Sequence, residues 1–365
     1  MPIPTEPIGS LPRDADLLRA LADYDQGKIT LKELEAHQDR ACQASIDRLT
    51  AAGETIVTDG EQRIPSFATY PLYDVLGGTG LGKNLADGQG VLIYGSPFAD
   101  GHTRQLPSLT SGPFRFMTYA SDLFQKSSKG VSTPMKTSVI SPSLLSLLYP
   151  QGGISGYSKE QFLSDVCNEC EKDIRQAFKV GATRVSINCT ELRLSLKLDP
   201  SGSLLSDFVS LNNQVLDRFS DEERKNIGIH TCPGNDRCST HSLDVDYLEL
   251  LPKLFEMRAG YFLIQCASEP DKNRLYEIMG RLIGSEQVIF VGVIDTCDPR
   301  VETAGEVRDR LLEAASHLPA DRLGATDDCG FAQFCDDTSI SREAAFAKIA
   351  ARIQGAKMAS EALGI

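Results

Sequence analysis

Short runs of apolar and β-branched residues alternate along the chain with longer stretches in which apolar residues recur every three or four positions. The runs predict eight strands, at residues 6–10, 55–59, 136–141, 184–188, 227–231, 261–265, 288–294 and 322–326. The longer stretches predict helices at residues 15–22, 31–52, 159–178, 204–219, 244–257, 271–283, 304–315 and 341–360. Eight strands in regular alternation with helices predict an α/β fold, a (β/α)8 TIM barrel with a parallel, closed sheet.

One segment, residues 64–135, breaks this alternation. It is rich in Gly, Pro, Ser and aromatic residues, and its short strand-like runs lie at residues 90–94 and 114–117. Long structured insertions after a barrel strand are more often functional than decorative. We expect a single domain over residues 1–365, with residues 64–135 forming a hairpin and loops that cover the mouth of the barrel.

Polar and metal-binding residue types follow the predicted strands directly. In a parallel barrel the carboxyl ends of the strands meet at one face, so these side chains are expected to converge there. The candidates are Ser10, Glu61, Asn188, His230, Cys232, Gln265, Asp295, Cys297, Asp298 and Cys329.

His230, Cys232 and Cys329 form a zinc ligand set. Three protein ligands leave the fourth tetrahedral position of Zn²⁺ open, which is typical of catalytic sites, whereas structural sites usually supply closely spaced cysteine pairs. Two thiolates and a neutral imidazole bring the formal charge near zero, so that the metal can accept and deprotonate a further thiol. The set predicts a Zn²⁺ cofactor, a small-molecule thiol as substrate, and a second substrate that donates an alkyl group.

Other candidates allow two interpretations. Glu61 lies in a cluster with Asp59 and Arg63, which is either a salt-bridged loop or a site for proton transfer or for a substrate ammonium group. His102, in the predicted insertion, is a candidate for substrate contact. The Cys-x-x-Cys pair of Cys167 and Cys170 lies in an amphipathic helical pattern, and we expect both side chains to pack in the core as small apolar groups.

Composition excludes several classes of partner. A net charge of -13 over 365 residues argues against binding to nucleic acid, which requires clustered Lys and Arg. The chain has neither an apolar run of about 18 residues nor the pattern of a signal peptide, so we expect a soluble, cytoplasmic protein without membrane contact. The oligomeric state is left open by the sequence.

The motifs together resemble the cobalamin-independent methionine synthase superfamily, specifically its catalytic C-terminal barrel. They are Ile8-Gly9-Ser10-Leu11-Pro12, Thr58-Asp59-Gly60-Glu61, His230-Thr231-Cys232, Gly292-Val293-Ile294-Asp295 and Asp328-Cys329-Gly330. Four stretches resemble most the single-barrel branch that includes epoxyalkane:coenzyme M transferase. These are residues 58–63, 98–104, 239–242 and 327–331.

The resemblance implies roles for individual residues. His230, Cys232 and Cys329 match the zinc ligands, and Ser10 and Glu61 match positions that hold the amino-acid end of homocysteine. The chain departs from the family at three positions. Gln265 replaces a glutamate that completes the zinc sphere, leaving that place to Gln265, water or Cys266. Asn188 replaces an aspartate that binds the homocysteine ammonium. Cys297 replaces a histidine that protonates the folate leaving group, a role that Asp295 or Asp298 could take.

Three functions remain open at this point. The first is a zinc-dependent S-alkyltransferase, in which the bound thiolate attacks a methyl donor or an epoxide-like donor. The second is methionine synthase proper, which uses homocysteine and a methylated folate and is disfavoured by the three departures. The third is a non-catalytic barrel that only binds a small molecule, since the fold does not dictate chemistry.

Overall fold

The computed structural model describes residues 1–72, 90–91, 98–104, 106–107, 109 and 111–365. Its strands are β1 (Gly90–Val91), β2 (Leu106–Pro107), β3 (Lys136–Ile140), β4 (Arg184–Asn188), β5 (Ile227–Thr231), β6 (Tyr261–Ile264), β7 (Val288–Ile294) and β8 (Leu323–Asp327). Strands β3 to β8 form one parallel sheet in chain order. The predicted α/β fold with a parallel sheet is confirmed.

Helices connect these strands. They are α1 (Ala15–Asp25), α2 (Leu31–Ala52), α3 (Ala120–Ser127), α4 (Pro142–Ser146), α5 (Lys159–Lys179), α6 (Glu191–Leu198), α7 (Ser203–Leu216), α8 (Asp221–Arg224), α9 (Tyr247–Leu254), α10 (Lys272–Leu282), α11 (Ala304–Ala315) and α12 (Arg342–Leu363). All eight predicted helices are present, with ends within a few residues. Helices α3, α4, α6 and α8 were not predicted, because they are too short for a clear apolar period.

The first two predicted strands do not form regular ladders: an isolated parallel bridge lies one residue before the first, and another lies within the second. Thr5 pairs with Ala325 of β8, and Val57 pairs with Met135 beside β3. The two segments meet where the Leu11 amide donates to the Gly60 carbonyl at 3.0 Å. A longer ladder is prevented in the first segment by Pro7, which has no amide hydrogen to donate. The sheet therefore has six strands that pair in regular ladders. The two segments that make one bridge each lie between its edge strands, β8 and β3.

The insertion contains the predicted hairpin in part. Strands β1 and β2 pair antiparallel, while residues 92–94 of the predicted strand lie outside the described residues. Residues 114–117 are not a strand, which corrects the prediction. The amides of Phe114 and Phe116 donate instead to side chains, to Tyr157 Oη at 3.0 Å and Glu169 Oε2 at 3.3 Å. Among the helices described, none is both long and apolar enough to cross a membrane.

A buried ionic cluster joins the amino-terminal segment to the sheet. Lys136 of β3 donates from Nζ to Glu6 Oε1 at 2.7 Å and to the Pro7 carbonyl at 2.9 Å. Arg184 of β4 pairs with the other oxygen of Glu6. Burial opposes the ionisation of Glu6, but the two cations outweigh it and lower its pKa. The cluster supplies the polar contacts that hold this segment against β3 and β4.

Lys136→Met should therefore destabilise the fold. The change removes one of the two cations that compensate the buried Glu6 carboxylate, and breaking a fully buried ion pair costs about 3–5 kcal/mol. The loss is read from urea unfolding at pH 7. The contribution of Glu6 is present above its ordinary pKa of 4.5 and is lost as the pH falls through its lowered folded value, so the difference between wild type and variant should shrink in acid.

The matched control is Lys225→Met, which removes a lysine from an exposed pair with Glu222. Exposed pairs contribute little, so this variant should unfold like the wild type. Equal losses in the two variants would contradict a role for the buried cluster.

Candidate metal centre

The three predicted ligands converge at the carboxyl ends of β5 and β8. His230 lies in β5, Cys232 follows that strand, and Cys329 lies two residues beyond β8. All three are buried, and their ligand atoms lie within 4.8 Å of one another. The Sγ atoms of Cys232 and Cys329 are 3.1 Å apart. Residues distant in sequence therefore form one cluster of potential metal ligands.

His230 presents an unpartnered nitrogen to this cluster. Its Nδ1 lies 3.1 Å from the Leu263 carbonyl. A carbonyl can only accept, so Nδ1 carries the hydrogen and Nε2 has a free lone pair. Nε2 is buried and has no hydrogen-bond partner in the described structure. A backbone carbonyl on one ring nitrogen is the usual arrangement for a histidine that binds a metal through the other.

The two thiols also suit a divalent cation. The thiol of Cys232 and burial raise the pKa of Cys329 well above its ordinary value, because ionisation would place a second negative charge in a dry site. A bound cation removes that penalty. One imidazole and two thiols fit Zn²⁺, which binds such sets tetrahedrally and leaves a position for a substrate.

Gln333 is a contact that sequence reasoning missed. Its Nε2 donates to Cys329 Sγ at 2.9 Å and to the Gly330 carbonyl at 2.6 Å. The amide can therefore stabilise negative charge on that sulfur and hold its orientation. A glutamine four residues after a cysteine carries no recognisable motif, so the sequence offered no signal for this contact.

Asp328 joins the loop after β8 to the loop after β6. Its carboxylate accepts from the amides of Cys266, Ala267 and Ser268 at 2.7–2.9 Å, and from Ser268 Oγ at 2.8 Å. Burial raises its pKa to about 7, against the effect of these donors. Because Asp328 immediately precedes Cys329, the junction fixes that ligand.

Gln265 is held by a neighbouring ion pair. Its Oε1 accepts from Arg193 at 3.0 Å, and its Nε2 donates to Glu269 Oε1 at 2.9 Å and to Ser268 Oγ at 2.6 Å. The Cys266 thiol lies 3.3 Å from the Ile264 carbonyl of its own chain segment. Cys266 is not part of the described group of potential ligands, and both polar atoms of the Gln265 amide are engaged by neighbouring side chains.

A small cavity, here called the inner pocket, opens beside His230 and Cys329. The predicted substrate-binding residues Ser10, Glu61 and Asn188 line it. Four of its lining atoms are buried without a hydrogen-bond partner, namely Asn188 Oδ1, Thr190 Oγ1, Gln333 Oε1 and His230 Nε2. Buried polar groups are costly unless they are paired, so the inner pocket is suited to a polar ligand.

Glu61 contributes a carboxyl group to the inner pocket. Its withdrawal from solvent raises its pKa to about 7, although Arg13 and Lys136 act in the opposite direction. Its backbone has a φ of 56°, which is uncommon for a residue other than glycine. Arg63, which the sequence places in a cluster with Glu61 and Asp59, pairs instead with Asp39.

A second and larger cavity, the outer pocket, is also lined by Cys329. Gln265, Asp295 and Cys297 are among its lining residues. Asp295 accepts from the Cys297 amide at 2.9 Å, and the Cys297 thiol donates to Asn235 Oδ1 at 3.2 Å. Asp298 is not among the described lining residues, and its carboxylate accepts from the Arg300 amide.

His102 connects the insertion to the loop after β5 through its contacts with two carboxylates. Its Nδ1 lies 2.5 Å from Asp100 Oδ1, and its Nε2 lies 2.8 Å from Asp236 Oδ2. The ring stacks on Phe98 with a centroid distance of 4.4 Å. Both ring nitrogens thus contact carboxylates of the chain itself, and the neighbouring Ala99 and Asp100 line the outer pocket. Substrate contact by His102 stays a prediction.

Comparison with known proteins gives a consistent assignment. The family profile described as "Cobalamin-independent synthase, Catalytic domain" matches residues 213–352, a segment that contains all three candidate ligands. Over this segment the chain is similar to the cobalamin-independent synthase superfamily. The resemblance drawn from the sequence motifs is confirmed at this level.

Individual relatives of the superfamily are distant but cover most of the chain. The methionine synthase of Pyrococcus abyssi (strain GE5 / Orsay) is 22% identical over 350 residues, which are 90% of this chain and 86% of that one. The methionine synthase of Saccharolobus solfataricus (strain ATCC 35092 / DSM 1617 / JCM 11322 / P2) is 20% identical, with coverages of 99% and 96%.

A solved member has the same fold. The structure of a B12-independent methionine synthase from Shewanella sp. W3-18-1, in complex with selenomethionine, superposes with a TM-score of 0.70 at 17% identity and covers 100% of both chains.

The purified protein should contain about one zinc per chain, and Cys329→Ser should lose it, because a hydroxyl is a poor ligand for this metal. Elemental mass spectrometry measures the ratio. The matched control is Cys335→Ser, which changes a buried cysteine outside the described ligand group and should retain zinc. Retention of full zinc by Cys329→Ser would exclude the assigned ligand set.

Proposed function

We propose that this protein is a zinc-dependent S-alkyltransferase that transfers an alkyl group, such as methyl, to a small-molecule thiol. The observation that carries the proposal is the place of Cys329, which lines both the inner and the outer pocket. A metal held by His230, Cys232 and Cys329 would lie between two cavities. That is the arrangement needed to bring a thiol and an electrophile together.

Zinc, when bound by these residues, would act as a Lewis acid that keeps the sulfur of the substrate deprotonated at neutral pH. The protein provides the rest of the environment. Gln333 and Asp328 hold Cys329 in place, and the Leu263 carbonyl fixes the ring of His230. The inner pocket then binds the part of the thiol that does not react.

The inner pocket favours a thiol that carries an ammonium group. Its described lining includes the Glu61 carboxyl and the unpartnered oxygens of Asn188 and Gln333, and it includes neither lysine nor arginine. These oxygens accept hydrogen bonds from an ammonium, whereas a sulfonate would meet acceptors without a compensating cation. The names of the methionine synthase relatives agree with a substrate of the amino-acid type.

The outer pocket would hold the alkyl donor, whose leaving group needs a proton. Cys297 carries a proton at neutral pH, because its contact with Cys238 and its burial raise its pKa, but a thiol with a raised pKa is a weak acid. Asp295 is the other candidate in the lining, whereas Asp298 faces Arg300. Either a methylated folate or an epoxide-like donor would need this proton at the leaving atom.

Methionine synthase proper is the second candidate, since the acceptors of the inner pocket suit the ammonium of homocysteine. Three residues of this chain, Gln265, Asn188 and Cys297, depart from the pattern of the methionine synthases and count against this candidate. A panel of thiols with and without an amine, each combined with methylated folates or an epoxide, separates the candidates by mass spectrometry of the products.

Thioether should form with homocysteine or cysteamine and form less with 2-mercaptoethanesulfonate. His230→Ala, lacking the unpartnered nitrogen, is the control and should be inactive. Binding of thiols without any thioether, for every donor, would contradict the transferase and favour a barrel that only binds.

Glu61→Gln should weaken the binding of an aminothiol. A hydrogen bond to a charged group contributes about 1.5–3 kcal/mol, so KM should rise about 10- to 150-fold. In the wild type, KM should fall as the pH rises through about 7, because ionised Glu61 attracts the ammonium, and the variant should lack this dependence. A thiol without an amine is the internal control, with an unchanged KM. An equal rise in KM for both thiols would show that Glu61 does not recognise the amine.

A further inference from the structure

Two cysteines are more exposed to solvent than the other cysteines of the chain. All ten cysteines lie in the described residues, and Cys238 and Cys297 are partly exposed whereas the other eight are buried. Both line the outer pocket, although they are distant in sequence. The thiols that solvent can reach are therefore together in one cavity.

The position of Cys238 is fixed by a tight turn. The Asp236 amide donates to the Ser239 carbonyl at 2.9 Å, and the Ser239 amide donates back at 2.8 Å. Arg237 and Cys238, at the centre of the turn, have φ values of 53° and 54°. Asparagine and glycine usually occupy such positions. The turn holds Cys238 Sγ 3.3 Å from Ser339 Oγ, which accepts from the thiol and itself donates to Asp337 Oδ1 at 2.7 Å.

Cys297 and Cys238 interact directly. The side-chain contact with Cys297, with a smaller contribution from Ser339, lowers the pKa of Cys238 to about 7 against the effect of burial. The same contact and burial raise the pKa of Cys297. Near neutral pH one member of the pair is therefore substantially thiolate while its neighbour keeps its proton. Reactive cysteines combine this thiolate character with exposure.

We propose that Cys238 and Cys297 form a reversible disulfide across the outer pocket when a hydroperoxide is present. The Cys238 thiolate attacks the outer oxygen of the hydroperoxide, forming an S–O bond as the O–O bond breaks. The released alkoxide or hydroxide takes up a proton. The Cys297 sulfur then attacks the sulfenic sulfur, forming the S–S bond and releasing water with the thiol proton. Two thiols lose two electrons, and the peroxide gains them.

This disulfide would tie the turn at residues 236–239 to the loop after β7. That connection would cross the cavity beside Cys329 and remove the proton held by Cys297. A small thiol would reverse it by exchange. The inference does not depend on the identity of the alkyl donor or on transfer activity.

Tryptic mapping of the zinc-loaded protein tests the proposal directly. Cleavage after Arg237 and Lys253, and after Arg281 and Arg300, places Cys238 and Cys297 in peptides 238–253 and 282–300, each with a single cysteine. After hydrogen peroxide treatment at pH 7.5 and alkylation of the remaining thiols, the two peptides should appear joined, with the loss of two hydrogens. Dithiothreitol should reduce the disulfide and lower the amount of the joined peptide at least about tenfold.

Variants and pH provide the controls. Cys238→Ser and Cys297→Ser should each abolish the joined peptide, whereas Cys335→Ser should preserve it. Alkylation of Cys238 by iodoacetamide should reach half its limiting rate near pH 7 rather than near about 8.5, the ordinary thiol value. Oxidation that leaves peptides 238–253 and 282–300 separate, or that joins Cys232 to Cys329 instead, would overturn the proposal.

Discussion

The buried carboxylate of Glu6 is the constraint on which the candidate site depends. Its amide donates to the Ala325 carbonyl of β8 at 3.0 Å, and its carbonyl accepts from Thr326 Oγ1 at 2.7 Å. Its side chain meets cations from β3 and β4. One residue thus attaches the amino-terminal segment to opposite edges of the sheet. Because the pair with Lys136 is fully buried, its separation would leave an unpaired charge in the interior.

That attachment brings the inner pocket together. The Phe331 amide donates to the Ser10 carbonyl at 3.0 Å, beside the loop that carries Cys329. On the other side, the Leu11 amide contacts the Gly60 carbonyl, just before Glu61. The loop after β7 is held in a similar way by Lys348 of α12, which donates to the Asp295 carbonyl at 3.0 Å and pairs with Glu302. Buried charges thus fix loops that hydrophobic packing alone would leave adjustable.

The sequence predicted that His230, Cys232 and Cys329 converge because its signal is local and chemical. His230 and Cys232 end one apolar run and Cys329 ends another, and parallel strands bring such ends together. The contacts of polar side chains that belong to no recognisable motif could not be predicted. Gln333, Asp328 and the partners of Gln265 depend on how three loops meet, which no periodicity encodes. The same holds for His102, whose residue type suggested substrate contact but whose ring lies between two carboxylates of the chain.

The exchange of a glutamate for Gln265, relative to the resembled family, changes the electrostatics of the site. A buried carboxylate is still present, but it belongs to Glu269 and is paired with Arg193 at 2.7 Å. Arg193 also donates to Gln265 and to the carbonyls of Leu243 and Val245, so its charge is compensated locally. An amide at position 265 adds no negative charge beside the two cysteines. In the proposed function, a substrate thiolate would therefore meet less repulsion at a metal held by His230, Cys232 and Cys329 than it would beside a third anionic ligand.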